Sequence, residues 1–301
     1  MMKAKALVPK HNRIRRSRGD IVFDIINVII VVLITLTMIY PMWYVIIVSF
    51  ATPEEAVMGR LYIWPKTFTL EAYEKVFENK DIWTGYLNTI IYTVAHTLYV
   101  LILTVPPAYA LSKKQLPGRV AITWYFFATM FISGGLIPSY MLNKSLGIIN
   151  SRWIMILGMG VGYSNLVITR TYYQTSIPTE VYESAYIDGA TDFQVLLRIY
   201  LPLSLSSIAT LSLFYAVGKW NSFSDALYYT TSRDLQPLQL KLYNLIKGNQ
   251  SIELSAFEGN SNNINSEITE SLESATIIFA TLPILIVYPF VQRYFVAGVA
   301  S

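Results

Sequence analysis

The feature that most constrains the fold is a long stretch without charge, residues 25–53. A helix needs about 20 apolar residues to cross the hydrocarbon core of a bilayer, so this stretch can span a membrane. Of the 301 residues, 53% are hydrophobic and 14% are charged, whereas soluble domains carry about 25% charged residues. The chain has no cysteine, which excludes a disulfide framework and Cys-ligated metal sites. We therefore predict an all-α integral membrane protein.

Six segments are apolar and long enough to be transmembrane helices. They are residues 21–50, 86–112, 120–142, 152–173, 203–229 and 275–291. Pro106 and Pro107 are expected to bend or break the second of them. The predicted organisation is a basic arm, a first helix, a long connection, a core of five spans and a short tail. The corresponding ranges are 1–20, 21–50, 51–85, 86–293 and 294–301.

Lys and Arg are distributed unevenly over the connections between these segments. With the N-terminus inside, the inner connections hold thirteen Lys and Arg, seven of them in the arm, and the longer outer connections hold nine. An excess of Lys and Arg marks the cytoplasmic side, so we predict that both termini and residues 176–202 are cytoplasmic. The long connection 230–272 is then outside. Long loops usually have a function, so we expect it to contact an extracytoplasmic partner.

The predicted cytoplasmic connection, hereafter the 176–202 loop, carries several charged side chains between two apolar segments. They are Glu180, Glu183, Asp188, Asp192 and Arg198. Charged groups at this density are excluded from hydrocarbon. Gly189 can adopt the positive φ that ends a first short helix. Thr191 or Asp192 can cap a second helix, which is expected to stop before Pro202.

The spacing in this loop resembles the EAA loop of permeases from ATP-binding-cassette (ABC) importers, Glu-Ala-Ala-x3-Gly-x9-Ile-x-Leu-Pro. The matching residues are Glu183, Ala185, Gly189, Ile199, Leu201 and Pro202, and Ser184 replaces the first alanine. In that family the loop is the coupling helix that binds a groove on a separate ATPase subunit. The resemblance implies a type I permease fold with six transmembrane helices. It also implies that these residues, together with Asp188, couple the chain to the ATPase.

Further segments resemble the oligosaccharide branch of these permeases, and in particular the maltose-type second permease. They are residues 131–140, 144–150, 170–174, 220–221 and 292–295. The resemblance implies a bacterial inner-membrane subunit that pairs with a second, homologous permease among the membrane lipids. It further implies two ATPase subunits that bind ATP and Mg²⁺, an extracytoplasmic solute-binding protein and an oligosaccharide substrate. It implies no cofactor in this chain and no nucleic-acid partner.

Polar side chains inside predicted spans are candidates for the translocation path. Lys219, Trp220 and Asn221 lie in the fifth predicted span. An ammonium inside a membrane costs roughly 2.5–3.5 kcal/mol on insertion scales, so Lys219 should face water, a carboxylate or a substrate. In the cavity it would favour an acidic, uronate-containing oligosaccharide, with Trp220 stacking on sugar rings and Asn221 bonding to hydroxyls. In the alternative, Lys219 reaches the outer interface and Trp220 only packs.

Several other functions lack their residues in this sequence. There is no Gly-x4-Gly-Lys-Ser/Thr phosphate loop, so ATP hydrolysis is expected in a partner chain. The glycines of residues 158–162 are expected to allow close helix packing, and His96 to be a hydrogen-bonded packing residue. A permease for a non-sugar solute, a secondary transporter and an intramembrane enzyme remain as alternatives. A secondary transporter would usually pair carboxylates in mid-membrane, and only Asp225 lies well inside a predicted span.

Overall fold

The computed structural model describes residues 17–57, 64–158, 160–257 and 270–299, and all regular structure within them is helical. Most of the basic arm, residues 1–20, lies outside the described residues. The first eight helices are α1 (Arg18–Ser49), α2 (Pro53–Val57), α3 (Glu71–Glu78), α4 (Lys80–Ser112), α5 (Arg119–Phe131), α6 (Leu136–Ser145), α7 (Arg152–Leu157) and α8 (Tyr163–Thr175). The others are α9 (Thr179–Ile187), α10 (Asp192–Val195), the π-helix Leu196–Tyr200, α11 (Leu201–Leu203), α12 (Leu205–Trp220), α13 (Ser224–Tyr229), the 3-10 turn Arg233–Leu235, α14 (Leu238–Phe257) and α15 (Glu270–Val299).

Three helices in the described part of the chain, α1, α4 and α15, are each long and apolar enough to cross a membrane. They correspond to the predicted spans 21–50, 86–112 and 275–291, except that α1 ends one residue early, at Ser49. The helix α1 starts at a capping box in which Ser17 and Asp20 satisfy each other's backbone N–H groups. The helix α4 continues through Pro106 and Pro107 to Ser112, so the second span is not broken there.

The three other predicted spans are not continuous helices. In the predicted span 120–142, the chain bends by 114° between α5 and α6. The turn between them contains Gly135 with φ 79°, a conformation that suits glycine. In the fourth segment, α7 ends at Leu157 and α8 begins at Tyr163. At the start of the predicted span 203–229, the chain bends by 84° between the helical stretch Asp192–Leu203 and α12. Counting each bent pair as one span gives up to five spans among the described residues, so the number six stays a prediction.

The long helix α4 lies at the centre of the described structure and contacts α7, α8, α12 and α14. Near its Lys80 end, Asn88 Nδ2 donates to the carbonyl of Asp234 at 2.6 Å. Tyr92 Oη donates to the carbonyl of Leu235 at 3.0 Å. The backbone N–H of Leu238 donates to Thr89 Oγ1 at 2.8 Å. These bonds fix the 3-10 turn and the start of α14 on α4, so the connection 230–272 contains ordered structure.

The Ser112 end of α4 lies in a buried hydrophobic cluster, which includes the 176–202 loop. The cluster combines residues of α4, α8 and the loop: Val105, Ala108, Tyr109, Leu111, Leu166, Tyr173, Ile177, Ala185, Val195, Leu196 and Tyr200. Burying each apolar side chain is worth about 1.5–3 kcal/mol, so the loop is held firmly against α4 and α8. The loop is therefore a packed element with a defined orientation.

Candidate functional site

The 176–202 loop forms the predicted helix–turn–helix. Its first helix, α9, ends at Ile187, and Gly189 follows with φ 79°. The backbone N–H of Ala190 donates to the Ala185 carbonyl at 3.0 Å, which closes the end of the helix. The capping residue of the next helix is Thr191, whose hydroxyl accepts from the N–H of Gln194 while Gln194 Oε1 accepts from the N–H of Thr191. The predicted turn at Gly189 is thus present.

The second helix of the loop differs from the prediction, because it does not stop before Pro202. The chain stays helical through the π-helix Leu196–Tyr200 and on to Leu203. Proline lacks an N–H group and its ring crowds the preceding turn of an α-helix. In the π turn the N–H of Leu201 donates to the carbonyl of Leu196, five residues back. This wider turn accommodates Pro202, so the helix ends only where it meets α12 at 84°.

The loop buries one side of α9 and exposes the other. Ala185 is buried against α4 and α8, whereas Glu183, Ser184 and Asp188 are exposed. Among the later residues of the predicted motif, Ile199 and Leu201 are half-buried and Pro202 is exposed.

Beside these polar groups, the loop exposes large apolar side chains, and three of them are more than two-thirds exposed. Tyr186 is 70% exposed, Ile187 is 83% exposed and Phe193 is 68% exposed. We call Tyr186, Ile187 and Phe193 the loop patch. Exposed apolar side chains beside carboxylates are typical of a surface that binds another protein.

Sequence reasoning missed a cluster of tyrosines around Lys113, the residue after α4. The ammonium of Lys113 stands 3.4 Å from the ring centroid of Tyr182, 4.3 Å from that of Tyr200 and 4.7 Å from that of Tyr109. It also donates to Tyr200 Oη at 2.8 Å. Asp192 Oδ1 accepts from the hydroxyls of Tyr109 at 3.1 Å and Tyr182 at 3.5 Å. We call these five residues the tyrosine cage. Four of them, all but Tyr200, line part of a cavity of about 400 Å³.

Burial lowers the pKa of Lys113 to about 8, and the nearby charge of Asp192 offsets part of this effect. Burial, together with Asp192, raises the pKa of Tyr182 above its ordinary value. The cage therefore holds a charged lysine against three neutral phenols below about pH 8. The sequence offered Lys113 as a basic residue after a span and Asp192 as a possible cap, but nothing that joined them. The three rings of the cage belong to Tyr109, Tyr182 and Tyr200, which only the fold brings together.

The structure places the three path candidates in different environments. Lys219 is buried, and its Nζ lies 3.0 Å from Asp225 Oδ2. Trp220 is buried as well: its Nε1 donates to the carbonyl of Ala280 at 3.2 Å, and Tyr86 packs edge-on against its ring. Asn221 is exposed, and its Nδ2 donates to the carbonyl of Val217 in the same helix. Their roles in the path stay predictions.

Two breaks in the helices meet at this ion pair. One lies between the end of α7 at Leu157 and the start of α8 at Tyr163, and the other, residues 221–223, separates α12 from α13. A Cβ on Gly158 would stand 3.2 Å from Asp225 Oδ2, so the glycine leaves room for the carboxylate. His96 Nδ1 lies 2.7 Å from the carbonyl of Ile156, as expected for a hydrogen-bonded packing residue. Within the described ranges, no three His, Asp or Glu side chains are grouped so that they could hold a metal ion.

Comparison with known proteins identifies the family. The model of the family described as "Binding-protein-dependent transport system inner membrane component" matches residues 82–301. The chain belongs to this family. It is therefore a transport permease of the bacterial inner membrane, with the predicted all-α fold of type I ABC-importer permeases.

Two relatives of the permease come from Bacillus subtilis (strain 168). This chain is 36% identical over 279 residues to the polygalacturonan/rhamnogalacturonan transport system permease protein YtcP. The match covers 92% of this chain and 96% of the relative. This chain is 39% identical over 277 residues to the protein LplC, and the match covers 92% of each chain.

A solved structure is also similar to the permease along nearly its whole length. It is a chain from the crystal structure of a bacterial ABC transporter involved in the import of the acidic polysaccharide alginate. The TM-score is 0.83 at 32% identity, covering 93% of this chain and 99% of the other. A chain from an alginate ABC transporter in complex with an alginate pentasaccharide-bound periplasmic protein has a TM-score of 0.53 at 16% identity, and this likeness shows the fold alone.

Proposed function

We propose that this permease forms half of the translocation pathway of an ATP-driven importer for acidic, uronate-containing oligosaccharides. The observation that carries the proposal is its similarity to permeases whose names include polygalacturonan, rhamnogalacturonan and alginate. Each of these polymers contains uronate residues, so the shared chemistry is a sugar with a carboxylate. A permease for neutral sugars or for a non-sugar solute is the alternative.

The loop patch supports a role in binding a separate ATPase. A short, packed helix that exposes Tyr186 and Ile187 beside Asp188 offers an apolar surface with a polar rim, as protein interfaces do. In our proposal two ATPase subunits bind ATP and Mg²⁺, and one of them contacts this patch. A second, homologous permease completes the pore. This arrangement places the 176–202 loop and both termini in the cytoplasm.

The opposite end of the described structure offers an ordered surface to a solute-binding protein. Asn150 Oδ1 accepts from the backbone N–H groups of Thr231 and Ser232 at 3.1 and 3.0 Å. The N–H of Asn150 donates to the carbonyl of Tyr229 at 2.9 Å. These bonds join the turn after α6 to the segment before α14. We propose that this surface, with α14, contacts the solute-binding protein.

Alternating access provides the mechanism. Closure of the ATPase subunits moves the 176–202 loop, and α4, α8 and α12 carry the movement to the broken segments near Lys219. Non-helical backbone inside a membrane occurs where it is buried in protein or lines an aqueous cavity, and broken helices often form substrate sites. We propose that Asn221 lines the path and that Lys219, when Asp225 releases it, attracts the carboxylate of a uronate.

The test is uptake by the complete importer. The permease is purified with its co-purifying subunits, and these are reconstituted in proteoliposomes containing ATP and the solute-binding protein. Labelled galacturonate oligomers and neutral oligosaccharides of the same length are compared. We expect ATP-dependent uptake of the acidic oligomers at least about tenfold faster than that of the neutral ones, since tenfold corresponds to about 1.4 kcal/mol of discrimination. Equal uptake, or uptake without the ATPase subunits, would contradict the proposal.

A further inference from the structure

The tyrosine cage connects three segments that are far apart in sequence. Tyr109 lies in α4, Tyr182 in α9 and Tyr200 in the π-helix, and the ammonium of Lys113 contacts all three rings. The ring of Tyr182 is the nearest, at 3.4 Å. Because a cation is attracted to the face of each ring, a single charge links both halves of the 176–202 loop to the end of α4.

The contacts of Lys113 differ from those of an ordinary structural ion pair. In the described part of the chain, no carboxylate oxygen lies within 4 Å of its Nζ. Asp192 bonds instead to the hydroxyls of Tyr109 and Tyr182. Attraction to three ring faces holds the ammonium from several sides, so one cation ties α9 and the π-helix to the end of α4.

We propose that Lys113 is a positioning residue for energy coupling: its ammonium, held among three tyrosine rings, makes α9 move together with α4. The inference deepens the proposed function and rests on the contact between the loop patch and an ATPase. Without the charge, α9 still packs through Ala185, but its movement reaches α4 less completely. ATP is then hydrolysed with less solute moved.

The first test compares Lys113→Met with Lys113→Arg, which keeps the charge and stacks on aromatic rings. Lys114→Met is the matched control, because Lys114 is the exposed neighbour. In the complete importer in proteoliposomes, we expect Lys113→Met to lower the solute moved per ATP about fivefold, in keeping with the loss of cation–π contacts. Lys113→Arg and Lys114→Met should match the unmodified permease.

The second test does not depend on the identity of the solute. Since the chain has no cysteine, spin labels can be attached at Glu180→Cys in α9, outside the loop patch, and at Ile102→Cys in α4, both exposed positions. We expect a narrow distance distribution in the assembled importer and a broader one with Lys113→Met, while Lys113→Arg restores the narrow one. If Lys113→Met leaves both the distances and the coupling unchanged, the inference is wrong. If no variant, and not even the unmodified permease, moves the tested oligosaccharides, the proposed substrate fails and the distances still decide about Lys113.

Charge dependence gives a third readout, which a purely structural lysine would not give. The groups that face Lys113 are the hydroxyls of Tyr109, Tyr182 and Tyr200 and the carboxylate of Asp192. Because the pKa of Lys113 is about 8, its ammonium is lost as the pH rises from 7 to 9. We expect the solute moved per ATP to fall over this range with Lys113 and to stay level with Lys113→Arg. Parallel pH profiles would overturn the inference.

Discussion

Lys219 is buried and Lys113 is half-buried, and the surroundings of these two lysines are very different. Lys219 forms an ion pair with Asp225 at 3.0 Å, and its side chain is 4% exposed. Lys113 contacts tyrosine rings and a hydroxyl beside a cavity of about 400 Å³. The first arrangement fixes two helices that meet at a break, α12 and α13. The second joins the 176–202 loop to the end of α4, close to the proposed ATPase contact.

Because of this difference, we expect substitutions at the two sites to change different properties: folding stability around Lys219 and transport coupling in the 176–202 loop. Changes around Lys219 should lower stability, in addition to any effect on the proposed attraction of uronate, because they leave a buried group without its partner. Changes in the 176–202 loop should act mainly on transport, because the loop patch is exposed and the cage is only half-buried. The following predictions test this separation, from the largest expected effect to the smallest.

The largest effect is expected for Lys219→Met, which leaves Asp225 without its cation. Loss of one partner of a buried ion pair costs about 3 kcal/mol or more. We expect a corresponding loss in the free energy of unfolding of the purified permease, measured by denaturation in detergent. Combining Lys219→Met with Asp225→Leu should recover most of this loss. A stable single variant would show that the pair is open to water and would weaken the contrast with Lys113.

Gly189→Val should impair coupling and leave insertion into the membrane normal. With φ 79° at this position, a β-branched side chain is strained by about 1–3 kcal/mol, although nothing lies within 4 Å of the added Cβ. We expect the turn to change shape and uptake per ATP to fall about tenfold. Gly218→Val is the control in α12, where an added Cβ also meets open space and φ is helical. Equal effects of the two changes would contradict a special role for the turn.

A smaller effect is expected for Trp220→Phe. The change removes the hydrogen bond from Trp220 Nε1 to the carbonyl of Ala280, a bond of 3.2 Å that is worth about 1 kcal/mol. We expect a modest loss of thermal stability and little change in the apparent affinity for solute. A large change in affinity at unchanged stability would instead indicate that the ring of Trp220 contacts the solute.

The smallest effect concerns the pH dependence of stability that Lys113 contributes. Its pKa of about 8 in the folded chain is below the ordinary value of 10.5, so the unfolded chain binds more protons between these values. Folding stability from this group is therefore lowest below pH 8 and rises as the pH increases towards 10.5. Thermal unfolding of the unmodified permease, compared with Lys113→Met, should show this rise only where the lysine is present.

Local features of the loop were predictable from the sequence, because they depend on neighbouring residues. The positive φ of Gly189 and the cap at Thr191 follow from the residues themselves and from Gln194 three positions later. The π turn before Pro202 was not predictable. It depends on the packing of the same segment against α4 and α8, and sequence alone indicated an end of the helix.

The ion pair shows a similar limit. In a continuous helix, Lys219 and Asp225 would point in directions about 120° apart, because successive residues turn by about 100°. They meet because the helix is interrupted at residues 221–223, within a segment that the sequence indicated as one span. The tyrosine cage was even harder to predict from the sequence. Its rings belong to positions separated by up to 91 residues in the chain, and only the fold brings them to Lys113.

The central claim is that the loop patch faces the cytoplasm and binds a separate ATPase. The direct measurement uses Ile187→Cys in this cysteine-free chain and a thiol reagent that does not cross membranes. We predict no labelling from outside intact cells, and labelling in inverted vesicles only after the ATPase subunits are stripped away. Labelling of Ile187→Cys from the outside, or equal labelling with and without the ATPase subunits, would contradict the account.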